Sequence, residues 1–278
     1  MKRLLPPAFF GAVLWGAAQG VTAGEKALLW GDTHLHTNYS FDAFTTGNLP
    51  ADPATAYRYA MGLPVIHPWH RARVQIGTPL DFLVVSDHAE FLGVIRHIHE
   101  QGVPADNLGV VDRAKAWLAT WYLRRSIDRR SGLGLFGGEL PPPEDAAAAA
   151  AELAAPGSRD TVSWWLPPMP GVEVSAWGEI TRTADAYNRP GEFTALIGWE
   201  WSSTPGGANL HRIVITDAGA DVARQYQPFS FVNSPYPEDL WAWLDLTSGA
   251  TGADFIAIPH NSNISKGYMF GTTTLRGE

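Results

Sequence analysis

Short apolar runs alternate along the chain with stretches in which apolar positions recur every three or four residues. The runs at residues 27–30, 82–86 (FLVVS), 193–198, 213–216 and 255–258 are short and rich in Val, Ile, Leu and Phe, which predicts buried strands. Helices are predicted at 53–61, 90–101 and 240–246. The first of these carries a start signal, with Asp52 placed to cap it and Pro53 at its first position. The alternation argues for an α/β protein built on a largely parallel sheet. One long interruption, about residues 104–183, separates the second and third strands. It holds a basic helical stretch (115–130), a Gly-rich turn, three prolines (141–143) and an alanine tract (146–151) that favours helix. It reads as a helical insertion that caps a cleft. There is no convincing internal repeat.

Composition narrows the function classes. The 278 residues carry a formal net charge of -8, so no nucleic-acid partner is expected. The chain has no Cys, and any metal must be held by nitrogen and oxygen. The twelve Trp are expected to pack cores and clefts. Lys2 and Arg3, an apolar stretch over 4–18 and the small residues Val21-Thr22-Ala23 read as an export signal over 1–23, giving a periplasmic or secreted protein that begins near Gly24. The apolar stretch is short for a membrane span and no later segment is long and apolar enough, so no stable span is expected after cleavage.

The candidate chemistry collects at strand edges. Asp32-Thr33-His34-Leu35-His36-Thr37 follows the first strand candidate, and residues two apart in extended backbone share a side. His34 and His36 can therefore face one ion, with Asp32 behind them to orient an imidazole. Asp42 follows in a turn-like segment. Ser86-Asp87-His88 ends the second strand, Gly198-Trp199-Glu200 the third, His211 opens the fourth, and Pro259-His260-Asn261 ends the fifth. Each motif alone is commonly structural. Five His at strand edges have a single explanation in a metal site. His67, His70, His97 and His99 do not fit the pattern and are expected at the surface or a cleft rim.

The order Asp-x-His-x-His-Thr, Asp, Ser-Asp-His, Gly-x-Glu, a strand-borne His and Pro-His resembles the PHP (polymerase and histidinol phosphatase) superfamily. The wording GDTHLHTNYSFDA, PLDFLVVSDHAEFLG, IGWEWSS and IPHNSNISKGYMF resembles one bacterial branch, the domain-of-unknown-function family 3604. The resemblance covers nearly all of the chain after the signal. It implies a distorted (β/α)7 barrel with two or three divalent ions, Zn, Mn or Fe. It also implies that His34 and His36 bind one ion, that Glu200 bridges it to a second completed by His211 and His260, and that Asp42 and His88 hold a third or stand beside the site. The superfamily pattern continues with an Asp-x-His element that does not follow His260 here. The expectation is a barrel incomplete at its C-terminal end, with the strand at 255–258 on an open edge.

The expected activity is metal-assisted hydrolysis of a small-molecule substrate, foremost a phosphoester. Glu200 and Asp87 are the candidate catalytic carboxylates. Arg58, Arg71, Arg73 and Asn261 are candidates for binding substrate oxygens. Two other readings compete: an amidohydrolase cutting C–N bonds, and a periplasmic ligand-binding protein with a structural metal. Amidohydrolases often carry a carbamylated Lys on a middle strand. Glu200 stands there instead, which favours the PHP reading.

Overall fold

The computed structural model describes residues 27–104, 108–129, 168–205 and 208–276. The expected export signal, the three prolines and the alanine tract lie outside the described residues. The elements are β1 (Gly31–Leu35), α1 (Phe41–Thr45), α2 (Pro53–Ala60), a small hairpin β2 (Val65–Ile66) and β3 (Arg73–Val74), β4 (Phe82–Val85), α3 (Val94–Gln101), α4 (Val110–Asp128), α5 (Pro170–Tyr187), β5 (Thr194–Trp201), β6 (Arg212–Thr216), α6 (Ala220–Ala223), α7 (Pro237–Thr251) and β7 (Phe255–Pro259). Five strands form one sheet in the order β1-β4-β5-β6-β7, curled into half a barrel, so the protein is mixed α/β.

Strand direction departs from the expected parallel sheet at one place. β1, β4 and β5 are parallel, whereas β6 is antiparallel to both β5 and β7. Four strands therefore run one way and β6 alone runs against them. The cause is the link over residues 202–211, which has no α-helix among its described residues. A parallel return needs a crossover of a dozen or more residues, and this link is too short to supply one.

Three predicted boundaries shift for local reasons. The first strand starts at Gly31, not at residue 27, and Leu28, Leu29 and Trp30 are exposed. Pairing begins only where Gly31 meets Phe82, because a Cβ on Gly31 would lie 2.4 Å from the Phe82 carbonyl oxygen. The third helix starts at Val94, since Phe91 and Gly93 take φ of 53° and 72°, outside the right-handed helical region. The insertion is narrower than 104–183. α5 is the crossover helix between β4 and β5, and its Trp177, Ile180 and Ala184 are buried in the main core. α4 covers the expected basic stretch and buries Leu123 and Ile127 against Ile95 and Ile98 of α3. The helix predicted at 53–61 forms as Pro53–Ala60, and the one predicted at 240–246 is longer, Pro237–Thr251. Asp52 caps α2 by accepting from the Thr55 N–H at 2.8 Å, an interaction worth about 1 kcal/mol.

The main core lies on one face of the sheet, where Leu83, Val85, Trp199, Trp201 and Val214 meet Tyr57, Trp177 and Leu240. Trp177 and Trp243 pack edge-on against Trp199, with ring centroids 5.8 and 5.9 Å away. This packing sets the site. Trp199 and Trp201 flank Glu200 in sequence, and successive residues of a strand face opposite sides. Burying the two indoles on the core face therefore turns Glu200 to the other face. Gly198 shares Glu200's face, and a Cβ there would lie 2.6 Å from Val84 Cγ1 and 2.7 Å from the Val214 carbonyl oxygen. Gly198→Ala is expected to destabilise the fold by about 1–3 kcal/mol through this overlap. Urea denaturation measures it, and an unchanged midpoint would show that the strands can spread at no cost.

Candidate metal centre

The fold brings one end of every strand of the large sheet to a common rim, the position at which barrel enzymes build their sites. His34 lies in β1 and His36 directly after it. His88 follows β4 and bridges in register to Glu200 near the end of β5. His260 follows β7. His211 precedes β6, so in a parallel sheet it would lie at the far end. The reversal of β6 delivers it to the rim, where its carbonyl oxygen accepts from the His260 N–H at 3.3 Å.

Glu200 is the hub. Its Oε1 lies 2.6 Å from His211 Nδ1 and 2.9 Å from His260 Nε2. Its Oε2 lies 2.8 Å from His36 Nε2, 3.3 Å from His34 Nε2 and 3.6 Å from His88 Nδ1. Despite three nearby nitrogens, the buried Oε2 has no partner in hydrogen-bond geometry, and His260 Nδ1 is also buried and unpartnered. His34 Nε2 and His36 Nε2 are only 3.1 Å apart. Both nitrogens face the same Glu200 oxygen. An all-nitrogen-and-oxygen donor set gathered on one buried carboxylate, with one of its oxygens left unpartnered, fits divalent cations.

Among the described residues, two three-residue groups each bring possible ligand atoms within 4.8 Å of one another: His34, Glu200 and His260, and His36, His88 and Glu200. Glu200 is common to both groups. His34 joins His260, and His36 joins His88.

The charges of the cluster interlock. Burial alone would raise the Glu200 pKa, but the close imidazoles of His211 and His260, which are hydrogen-bonded to it, and of His34 and His36 hold it far below the usual carboxylate range. Burial would likewise lower His36, and its hydrogen bond to Asp42 together with the adjacent Glu200 carboxylate outweighs that and raises it to about 9. His88 is raised well above its ordinary value in the same way, chiefly by Asp42 against the effect of burial.

The family model described as Protein of unknown function (DUF3604) matches residues 23–278. The chain belongs to the DUF3604 family. No curated protein matches the chain, and no solved structure does.

Around the DUF3604 cluster, the remaining sequence candidates fall into distinct places. Asp42 supports it: its carboxylate lies 3.1 Å from His36 Nδ1 and 3.6 Å from His88 Nε2. Holding His36 through Nδ1 leaves Nε2 to face Glu200, the arrangement that fixes a metal-binding imidazole. Asp87 is buried behind the cluster, where both its oxygens accept from Thr37, one from the backbone N–H and one from the hydroxyl. Burial pushes its pKa up to about 6, despite these bonds. Asp32 accepts from the His34 backbone N–H at 2.8 Å, not from an imidazole as expected. Arg58 is exposed on α2, and Arg71 and Arg73 are exposed on the β2–β3 hairpin. None of the three has a hydrogen bond or ion pair with the cluster among the described residues. Asn261, with φ of 55°, follows His260 in a left-handed turn and is exposed. The His67 and His70 rings lie tilted against each other in the hairpin loop, 4.8 Å apart, and His99 pairs with Asp128 at 3.6 Å, all outside the histidine–carboxylate cluster.

Three supporting residues were not read from the DUF3604 sequence. Ser202 Oγ contacts His88 Nδ1, and Thr204 Oγ1 lies 3.0 Å from His211 Nε2. Glu90 is buried; its Oε1 accepts from the backbone N–H groups of Ser202 and Phe231, and its Oε2 lies 3.7 Å from His88 Nδ1. The Ser-Asp-His-Ala-Glu run was the available signal, since a carboxylate two residues after a ligand can return to it across a turn. Glu90→Gln keeps an acceptor for the two N–H groups and removes the charge beside His88. Metal affinity is expected to fall about 10–100-fold, measured by competition with a chelating dye. Affinity equal to the parent's would assign Glu90 to the fold alone. No helix among the described residues is long and apolar enough to cross a membrane.

Proposed function

We propose that this DUF3604 chain is a metal-dependent hydrolase of phosphoesters, related in design to PHP enzymes, with a multinuclear centre around Glu200. The observation that carries the reading is the buried Glu200 carboxylate, whose two oxygens are divided among five imidazoles. A carboxylate so placed suits a bridge between two cations. His34 and His260 would complete one site with Glu200, and His36 and His88 the other; His211 adds a nitrogen on the Oε1 side. Ions held there would lower the pKa of a water and neutralise phosphate oxygens.

The chain's own groups prepare this chemistry. Asp42 fixes the His36 ring, and the buried Asp87–Thr37 clamp ties the end of β1 to the end of β4. The two indoles beside Glu200 lock its direction. The curled sheet with its site on the strand-end rim supports a PHP-type barrel. The Lys2-Arg3 start and following apolar stretch support export before the protein acts.

The test combines elemental analysis with a turnover panel of phosphoesters, amides and glycosides, each with added Mn, Zn or Fe. The expected result is bound metal with phosphoester turnover that a chelator abolishes. Turnover of amides alone would overturn the reading in favour of C–N hydrolysis, and metal without any turnover would favour a binding protein.

A further inference from the structure

We propose that the cleft beside His36 binds the uncharged, apolar organic group of the substrate; this rests on the hydrolase reading above and names its substrate class. The cleft has a volume of about 360 Å³, within the range of small-molecule sites. Its walls are Leu35 at the end of β1, Ala56 and Tyr59 of α2, and Val65, Ile66 and Val74 of the hairpin. Among the described residues no Asp, Glu, Lys or Arg lines it, and its polar side chains are Thr37, Thr55, Tyr59, His36 and His67.

His36 joins the cleft to the chemistry. It lines the cleft, and its Nε2 lies 2.8 Å from Glu200 Oε2. A substrate whose phosphorus sits at the cluster therefore has the cleft directly beside it. The phosphate belongs at the histidine–carboxylate end, where the imidazoles gather, and no Lys or Arg among the described residues lines the cleft to compete for it. What remains for the cleft is the other half of the ester.

Two further features agree. Tyr59 and Ile66 are 37% and 52% exposed, apolar side chains with surface that a ligand would cover. The hairpin that forms the outer wall has its own brace: His67 Nδ1 accepts from the N–H groups of Trp69 at 3.1 Å and His70 at 3.2 Å. The wall is thereby shaped before a ligand arrives, which limits the ordering cost of binding. In the reaction, water adds to phosphorus, the P–O bond to the organic group breaks, and the alcohol leaves carrying a proton from that water.

The experiment uses alkyl phosphates from ethyl to hexyl, whose leaving groups differ little in acidity. With the metal-loaded protein, kcat/KM is expected to rise about fourfold per added methylene until the cleft is filled. Ile66→Asp is expected to lower the ratio of hexyl to ethyl turnover at least tenfold, and Ala56→Trp to do so by filling the cleft. Calorimetry with hexylphosphonate and methylphosphonate reads the cleft without turnover. Tighter binding of the hexyl compound, lost in either variant, supports the proposal even if no ester is cleaved, in which case only the hydrolase reading fails. Equal kcat/KM along the series together with equal binding of the two phosphonates overturns the proposal while leaving phosphoester hydrolysis intact.

Discussion

Glu200→Gln is expected to abolish both metal retention and hydrolysis, with activity falling by at least about 10³-fold. The substitution conserves size and hydrogen-bonding reach, so Trp199 and Trp201 still pack and the fold survives. What it removes is the negative charge shared by both three-residue groups. Five imidazoles remain around a neutral amide, and a dication placed among them would have no carboxylate of the hub to balance it. A loss of about 4 kcal/mol corresponds to that thousandfold change. Losing one partner of a buried charged constellation costs on this order. Elemental analysis of the purified variant and its turnover of a generic phosphoester measure the effect, with circular dichroism as the control for folding. A folded Gln variant that keeps its metal and its activity would remove Glu200 from the centre of the chemistry.

Metal loading is expected to raise the melting temperature by about 10 °C over protein stripped with a chelator. The candidate ligands come from the ends of five strands: His34 and His36 with β1, His88 with β4, Glu200 with β5, His211 with β6 and His260 with β7. Without ions, imidazoles with raised pKa values crowd one buried carboxylate. Ions would replace those protons with bonds that tie all five strand ends together. At a thousandfold excess over the dissociation constant, ligand binding stabilises the native state by about 4 kcal/mol. In a domain of this size each kcal/mol shifts the midpoint by about 2–4 °C. Differential scanning fluorimetry with Zn, Mn and Fe in turn measures the shift and ranks the metals. No shift with any of them would argue that the cluster is held by protons alone.

The sequence determined most of the ingredients of the site, because short-range rules govern them. Period-two spacing put His34 and His36 on one side of the chain, and their Nε2 atoms are 3.1 Å apart. The Trp-Glu-Trp order dictated that burying the aromatics would turn Glu200 the other way. Asp52 and Pro53 marked the start of α2, and local capping chemistry placed it there. Other features depended on residues distant in sequence, which local pattern does not report. The apolar run at 27–30 read as a strand, yet it is exposed, because pairing with β4 decides where a strand begins and only Gly31 lets the two backbones close. The helix at 170–187 read as part of an insertion until its buried Trp177 and Ile180 showed it to be the crossover between two strands. Glu90 looked like the first residue of a helix, but Phe91 and Gly93 at positive φ turn the chain so that its carboxylate comes back to His88. His211 is the clearest case: its identity as a candidate ligand was legible in the sequence, while its arrival beside His260 depended on β6 running against its neighbours, a direction imposed by a link too short to cross over.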